Sequence, residues 1–121
     1  MKMPISEIID RYTITKLKDE RTDENVTDEL LAYKNEIDQY STSLDIYIKR
    51  MYEINAKIWN TESDIRKGGA GLPLDEVGRL ALKVRDLNCD RNAIKAEIVD
   101  QFAEGFKEIK INYKKHNYGR N

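Results

Sequence analysis

The stretch LLAYKNEIDQYSTSLDIYIKRMYEINAKIWNTESDIR, residues 30–66, decides the fold. Leu30, Ile37, Leu44, Met51, Ile58 and Ile65 recur at every seventh position, and Tyr33, Tyr40, Tyr47 and Ile54 form a second register three residues later. A two-position apolar repeat of this period is the seam of a helix packed against other helices. Ser41, Thr42 and Ser43 interrupt the helix formers, because short hydroxyl side chains compete for backbone hydrogen bonds, and Ser43 is placed to cap a new helix. The heptad phase survives the interruption, which favours one long, bent helix over a true loop.

Outward from this seam, a helix is expected over Ser6–Arg21. Ser6 caps it, Glu7 and Asp10 sit near its positive end, and Ile5, Ile9, Tyr12 and Leu17 supply an apolar side. The segment RTDENVTDE (21–29) reads as a turn in which Thr27 caps the next helix. KGGAGLP (67–73) has three glycines and a proline and must be a loop. No Lys-Ser/Thr follows its last glycine and no buried strand precedes its first, so it is an interhelical turn and not a phosphate loop. A further helix begins at Asp75, with Val77, Leu80, Val84, Leu87, Ile94 and Ile98 along its seam and Arg91 as the one charged seam position. Beyond Gly105, Phe106 and Ile109 extend the helix or Ile109, Ile111 and Tyr113 alternate as a short strand.

At 121 residues, 40% hydrophobic and 36% charged, the chain is one domain, here residues 1–115 with a flexible tail at 116–121. Two prolines and six glycines among many Lys, Glu, Ile and Leu make it all-α. A helix of about 40 residues is ~60 Å long and carries a stripe that one hairpin cannot cover on both sides. The expected architecture is therefore a long-helix antiparallel bundle completed by homo-oligomerisation.

A net charge of -1 with interspersed signs gives no field to draw the chain onto nucleic acid or a membrane surface. Cys89 is the lone cysteine and suits a reducing cytosol. No apolar run is long enough for a membrane span and no secretion leader is seen, so a cytoplasmic protein is expected. With one His and one Cys far apart, neither a His/Cys metal site nor a Ser-His-Asp machine is built, and no cofactor is implied. Glu7 with Asp10, and Glu97 with Asp100, have the spacing by which helical nucleotide hydrolases hold Mg2+, but the upstream Glu-x-x-Glu partner of such sites is missing.

One polar pattern is left over. Asn55, Trp59, Glu62 and Arg66 recur at spacings of four, three and four, and therefore share a helix face. Asn88, Arg91, Asn92 and Lys95 do the same on the last helix. A hairpin turning between Arg66 and Asp75 brings the two faces together but leaves Arg91 one to two turns out of level with Trp59, so pairing within the chain stays open and contact across a dimer fits better. Two interpretations stand at this point. Arg91 pairs with Glu62 or Asp86 and fixes helix register, or Arg66, Arg91 and Lys95 meet an anion while Trp59 stacks on a flat ring and Asn88 and Asn92 read polar edges.

YEINAKIWNTESDIR (52–66), KVRDLNCDRNAIKAEI (83–98) and SEIIDRYTITKLKDER (6–21) together resemble a group of small helical bacterial and phage domains of unknown function. The matched positions are Glu7, Asp10, Arg11, Thr13, Lys18, Asn55, Trp59, Glu62, Arg66, Asn88, Arg91, Asn92 and Lys95, spread over about two-thirds of the chain. Tyr12 stands where the pattern has a leucine, and Ser63 replaces the acid after Glu62, which weakens a metal site most. The resemblance supplies positions without an activity, and phage membership implies a protein that binds a host metabolite or signal.

The expected function is non-enzymatic binding, even sequestration, of a small anionic nucleotide-like or sugar-nucleotide-like ligand by a helical oligomer. Its site residues are Trp59, Glu62, Arg66, Asn88, Arg91, Asn92, Lys95 and Asn55, with Asp10 and Thr13 completing the wall from the first helix. The alternatives are a structural or adaptor protein whose seam binds a partner protein, and a divergent Mg-dependent helical nucleotide phosphohydrolase.

Overall fold

The computed structural model describes residues 3–102, which are helical apart from their connections; the sequence readings at 103–121 lie outside the described residues. Four α-helices follow one another: α1 (Ile5–Arg21), α2 (Thr27–Asp38), α3 (Asp45–Gly68) and α4 (Leu74–Phe102). The expected all-α fold is what forms.

α1 starts where Pro4, extended at ψ 149°, gives up its carbonyl to the Glu7 and Ile8 amides, both at 3.0 Å. Proline suits this position because it fixes φ and has no amide to leave orphaned. Ser6 is accordingly not the cap: it lies inside the first turn, buried. Lys18 and Arg21 close the helix at its negative end. In the following turn the Thr27 amide donates to Asn25 Oδ1 at 3.2 Å, so Asn25, and not Thr27, tethers the start of α2, which Val26 caps.

The seam of residues 30–66 belongs to two helices rather than one bent one. α2 stops at Asp38, and the segment 39–44 forms a true connection. Three hydrogen bonds terminate and restart the helices: the Gln39 and Tyr40 amides fold back onto the Glu36 and Ile37 carbonyls, and Ser43 Oγ accepts the Asp45 amide at 3.3 Å. Ser43 thus does help to start a helix. The heptad phase crosses the break because Leu44, at the N-cap of α3, still drops into the core at 3% exposure.

α4 begins one residue before Asp75, with the Pro73 carbonyl accepting from Val77 at 3.0 Å, and then runs uninterrupted to Phe102. It returns along α3. Arg50 near the start of α3 grips Glu97 near the end of α4 through two hydrogen bonds of 2.9 and 2.7 Å. At the other end Gly69, at φ 49°, reverses the chain; such a left-handed backbone suits glycine. The side chain of Leu72 lies so close over Gly68 that a Cβ there would sit 2.1 Å from its Cγ.

α1 packs against α2, α3 and α4, and the core gathers where they meet. Ile8 and Ile9 of α1, Met51, Ile54 and Ile58 of α3, and Ile94 and Ile98 of α4 form one buried cluster. Side chains of this size each contribute about 1.5–3 kcal/mol on burial. α2 contributes no buried residue of its own; Tyr33 and Ile37 lean on the cluster half-buried. No helix among the described residues is long and apolar enough to cross a membrane.

Candidate functional site

The register of the α3–α4 hairpin decides which polar residues meet. Counting inward along both helices from the Arg50–Glu97 pair brings Trp59 level with Asn88. The expected offset of one to two turns shrinks within a single chain to three residues, under one turn, with Arg91 level with Ala56: α3 continues past Arg66 to Gly68, and the connection runs on to Pro73, which moves the centre of the hairpin toward α4.

Two polar groups result. The first is closed. Asn55, on the inner face of α3, donates through Nδ2 to Asp10 Oδ1 at 2.8 Å and to Thr13 Oγ1 at 2.9 Å, while Thr13 Oγ1 donates to the Asp10 carbonyl at 2.8 Å. Asp10, Thr13 and Asn55 are all buried. Lys95 of α4 covers this network, donating to Glu7 Oε1 at 2.7 Å and lying 3.6 Å from Asp10 Oδ2. The Lys95 hydrogen bond, helped by Arg11 and opposed by partial burial, holds the Glu7 carboxyl below its ordinary value of 4.5. Asp10 and Glu7 sit one turn apart on α1, which is why one ammonium reaches both.

The second group is open. A cavity of about 300 Å3 lies between α1, α3 and α4, lined by Ile14 and Leu17 of α1, Asn55, Ile58, Trp59 and Glu62 of α3, and Asn88 and Arg91 of α4. Asn55, Ile58 and Leu17 form its buried floor, Trp59, Asn88 and Arg91 are half-buried walls, and Glu62 is exposed at the mouth. Arg91 Nε is buried without a hydrogen-bond partner among the described residues. A buried donor left unpaired costs about 1–3 kcal/mol, more when it belongs to a charged group, so its persistence calls for an explanation. Neither Glu62 nor Asp86 supplies one: Asp86 bonds to Arg85 at 3.3 Å, and no ion pair joins Arg91 to Glu62. With both Asn55 amide hydrogens taken by Asp10 and Thr13, its Oδ1 is the acceptor left to the cavity floor.

Of the ten residues expected at the site, Asn55, Trp59, Glu62, Asn88 and Arg91 meet at this cavity. The other five do not line it. Asp10 and Thr13 stand behind the wall and hold Asn55. Lys95 faces α1 and is occupied by its two carboxylates, although it lies one turn from Arg91. Arg66 and Asn92 are exposed outside the cavity, Arg66 on the last turn of α3 beyond Glu62. The expected trio of phosphate-neutralising cations is thereby reduced to Arg91. Ile14, Leu17 and Ile58 were not expected at the site; the spacing of Asp10, Thr13, Ile14 and Leu17 along α1 is the signal that puts them on one face.

The acids proposed for Mg2+ are dispersed among other partners, Glu7 and Asp10 on Lys95 and Glu97 on Arg50, and no group of three or more His, Cys, Asp or Glu among the described residues is arranged to hold a metal ion. A second cavity, of about 310 Å3, is mostly apolar and lies between Pro4, Ile5, Tyr40, Ile98 and Phe102 at the end of the described chain. Among the described residues none of its lining side chains is charged.

No family model, curated protein or solved structure matches this chain.

Proposed function

We propose that the protein binds a small anionic, nucleotide-like ligand without transforming it, in the cavity between α1, α3 and α4. The observation that carries this reading is that Arg91, whose buried Nε has no hydrogen-bond partner among the described residues, lines a cavity together with Trp59, Glu62 and Asn88. A guanidinium presents Nε and one Nη as a fork that matches phosphate or carboxylate, so an anionic group there satisfies the orphan donor. Trp59 offers a flat apolar face for a ring, Asn88 an amide, and Glu62 an acceptor for ring N–H groups. A volume of about 300 Å3 is at the small end of ligand sites and suits one ring with one anionic group better than a dinucleotide. Arg91 and Glu62 carry opposite charges, which favours a ligand with both an anionic end and a donor-bearing end.

Self-association is part of the same reading. Leu74 and Leu82 on the hairpin arm are 89% and 52% exposed, and in this reading a second copy of the chain covers them. Sedimentation of the wild type and of Leu82→Lys tests it: an oligomer that the substitution dissociates is expected, and a wild-type monomer overturns it.

Thermal shift against nucleoside monophosphates, with and without Mg2+, tests ligand binding. A rise in melting temperature that needs no metal, and is abolished by Arg91→Ala, is expected. A rise that requires Mg2+ and is accompanied by product release would point instead to hydrolysis, and no response to any of them leaves the adaptor reading.

A further inference from the structure

The two charged groups of the open cavity are placed to meet different ends of one ligand. Arg91 is level with Ala56, so Glu62 stands six residues, about 9 Å, nearer the turn. Side chains on a helix lean toward its N-terminus. Because α4 returns along α3, the Glu62 side chain leans away from the turn and that of Arg91 toward it, each in the direction of Trp59 and Asn88. They stop short of an ion pair, and the interval between them is floored by Ile58 and Leu17 and flanked by Trp59.

Resting on the binding reading above, we infer that Glu62 selects the base, and that the ligand is a guanine nucleotide with its phosphate on Arg91 and its ring against Trp59. A carboxylate has acceptors only, two oxygens side by side, and is best met by two adjacent donors. Among the common bases guanine alone has them, N1–H beside the N2 amino group. Adenine and cytosine set a ring lone pair beside their amino group, and uracil sets N3–H between two carbonyls, so each turns at least one lone pair toward the carboxylate. Glu62 has no partner of its own among the described residues that would have to be given up. Its exposed place at the mouth is where a base enters last, and covering it with a ring removes the water that screens the carboxylate. In this assignment the nucleotide lies along the hairpin, base toward the turn.

Isothermal titration of the full chain with GMP, IMP, AMP, CMP and UMP tests the assignment. GMP is expected to bind at least about tenfold more tightly than AMP, CMP or UMP, the discrimination typical of one bidentate pair, with IMP, which lacks the N2 amino group, in between. Glu62→Gln keeps the size of an exposed side chain and leaves folding untouched. It should weaken GMP about tenfold or more while changing AMP by no more than about threefold. If AMP or a pyrimidine nucleotide binds wild type as well as GMP does, or if Glu62→Gln weakens all of them equally, Glu62 does not choose the base although the cavity still binds nucleotides. If none of the five binds, the binding reading falls and the base assignment with it.

Discussion

The closed group around Asn55 and the open one around Arg91 use the same residue types, on the same helices, one turn apart, and reach opposite ends. In the closed group every charge has found a partner: Lys95 meets Glu7 and Asp10, and Asn55 spends both amide hydrogens on Asp10 and Thr13. In the open group Arg91 keeps a buried Nε without a partner, with Glu62 at the mouth of the same cavity. The difference comes from α1. Its Glu7 and Asp10 reach the level of Lys95 and saturate it, whereas at the level of Arg91 the same helix presents Ile14 and Leu17, which have nothing to donate or accept. A polar residue on a packed face is therefore structural where the opposing helix answers it and available where the opposing helix is apolar.

The largest expected effect breaks the closed group. Asp10→Ala leaves one Asn55 hydrogen unanswered and strips a carboxylate from beside Lys95, and should lower unfolding free energy by about 3 kcal/mol in urea titration, with the slope against denaturant unchanged. Gly69→Ala acts on the hairpin turn, at φ 49°, and should cost about 1 kcal/mol while leaving both groups intact, so that ligand response survives. Arg91→Met keeps the packed stem but deletes the orphan donor. Its stability should stay within about 0.5 kcal/mol of wild type, or rise, while the ligand response disappears. A loss as large as that of Asp10→Ala would erase the distinction between the two groups.

The smallest effect is a titration. Lys95 holds the Glu7 carboxyl below its ordinary value, so ionised Glu7 stabilises the fold above pH 4.5 and that part is lost as pH falls through the lowered folded value. Glu7 is partly solvated, which limits the contribution to a few tenths of a kcal/mol. Glu7→Gln should flatten the acid limb of a stability–pH curve by that amount and leave the limb above pH 6 parallel to wild type.

The sequence carried the helical class, the Gly-rich turn, the inward face of Met51, Ile54 and Ile58, and five of the cavity's eight lining residues. It failed in two physical ways. Heptad phase reports which residues point inward and not whether the backbone between them is helical, so Leu44 kept the seam in step across a real break. Spacing along one helix likewise says which residues share a face and not what stands opposite. Lys95 belongs to the Arg91 face by spacing, yet only the placement of α1 shows that it is already taken, and Arg66 shares the Glu62 face yet lies past the edge of the hollow. Asp10 and Thr13 were tied to the right neighbours for the wrong purpose, since they hold Asn55 and do not line the wall.

The unbroken run of α4 from Leu74 to Phe102 makes it a rigid axle. One residue added between Leu82 and Asn88 would turn everything beyond it by about 100°, swinging Arg91 out to solvent and Lys95 off its carboxylates together. The same residue added between Gly69 and Leu72 would be absorbed before the axle begins. Tolerance to insertion should therefore change abruptly at Pro73, marking where spacer ends and gauge begins.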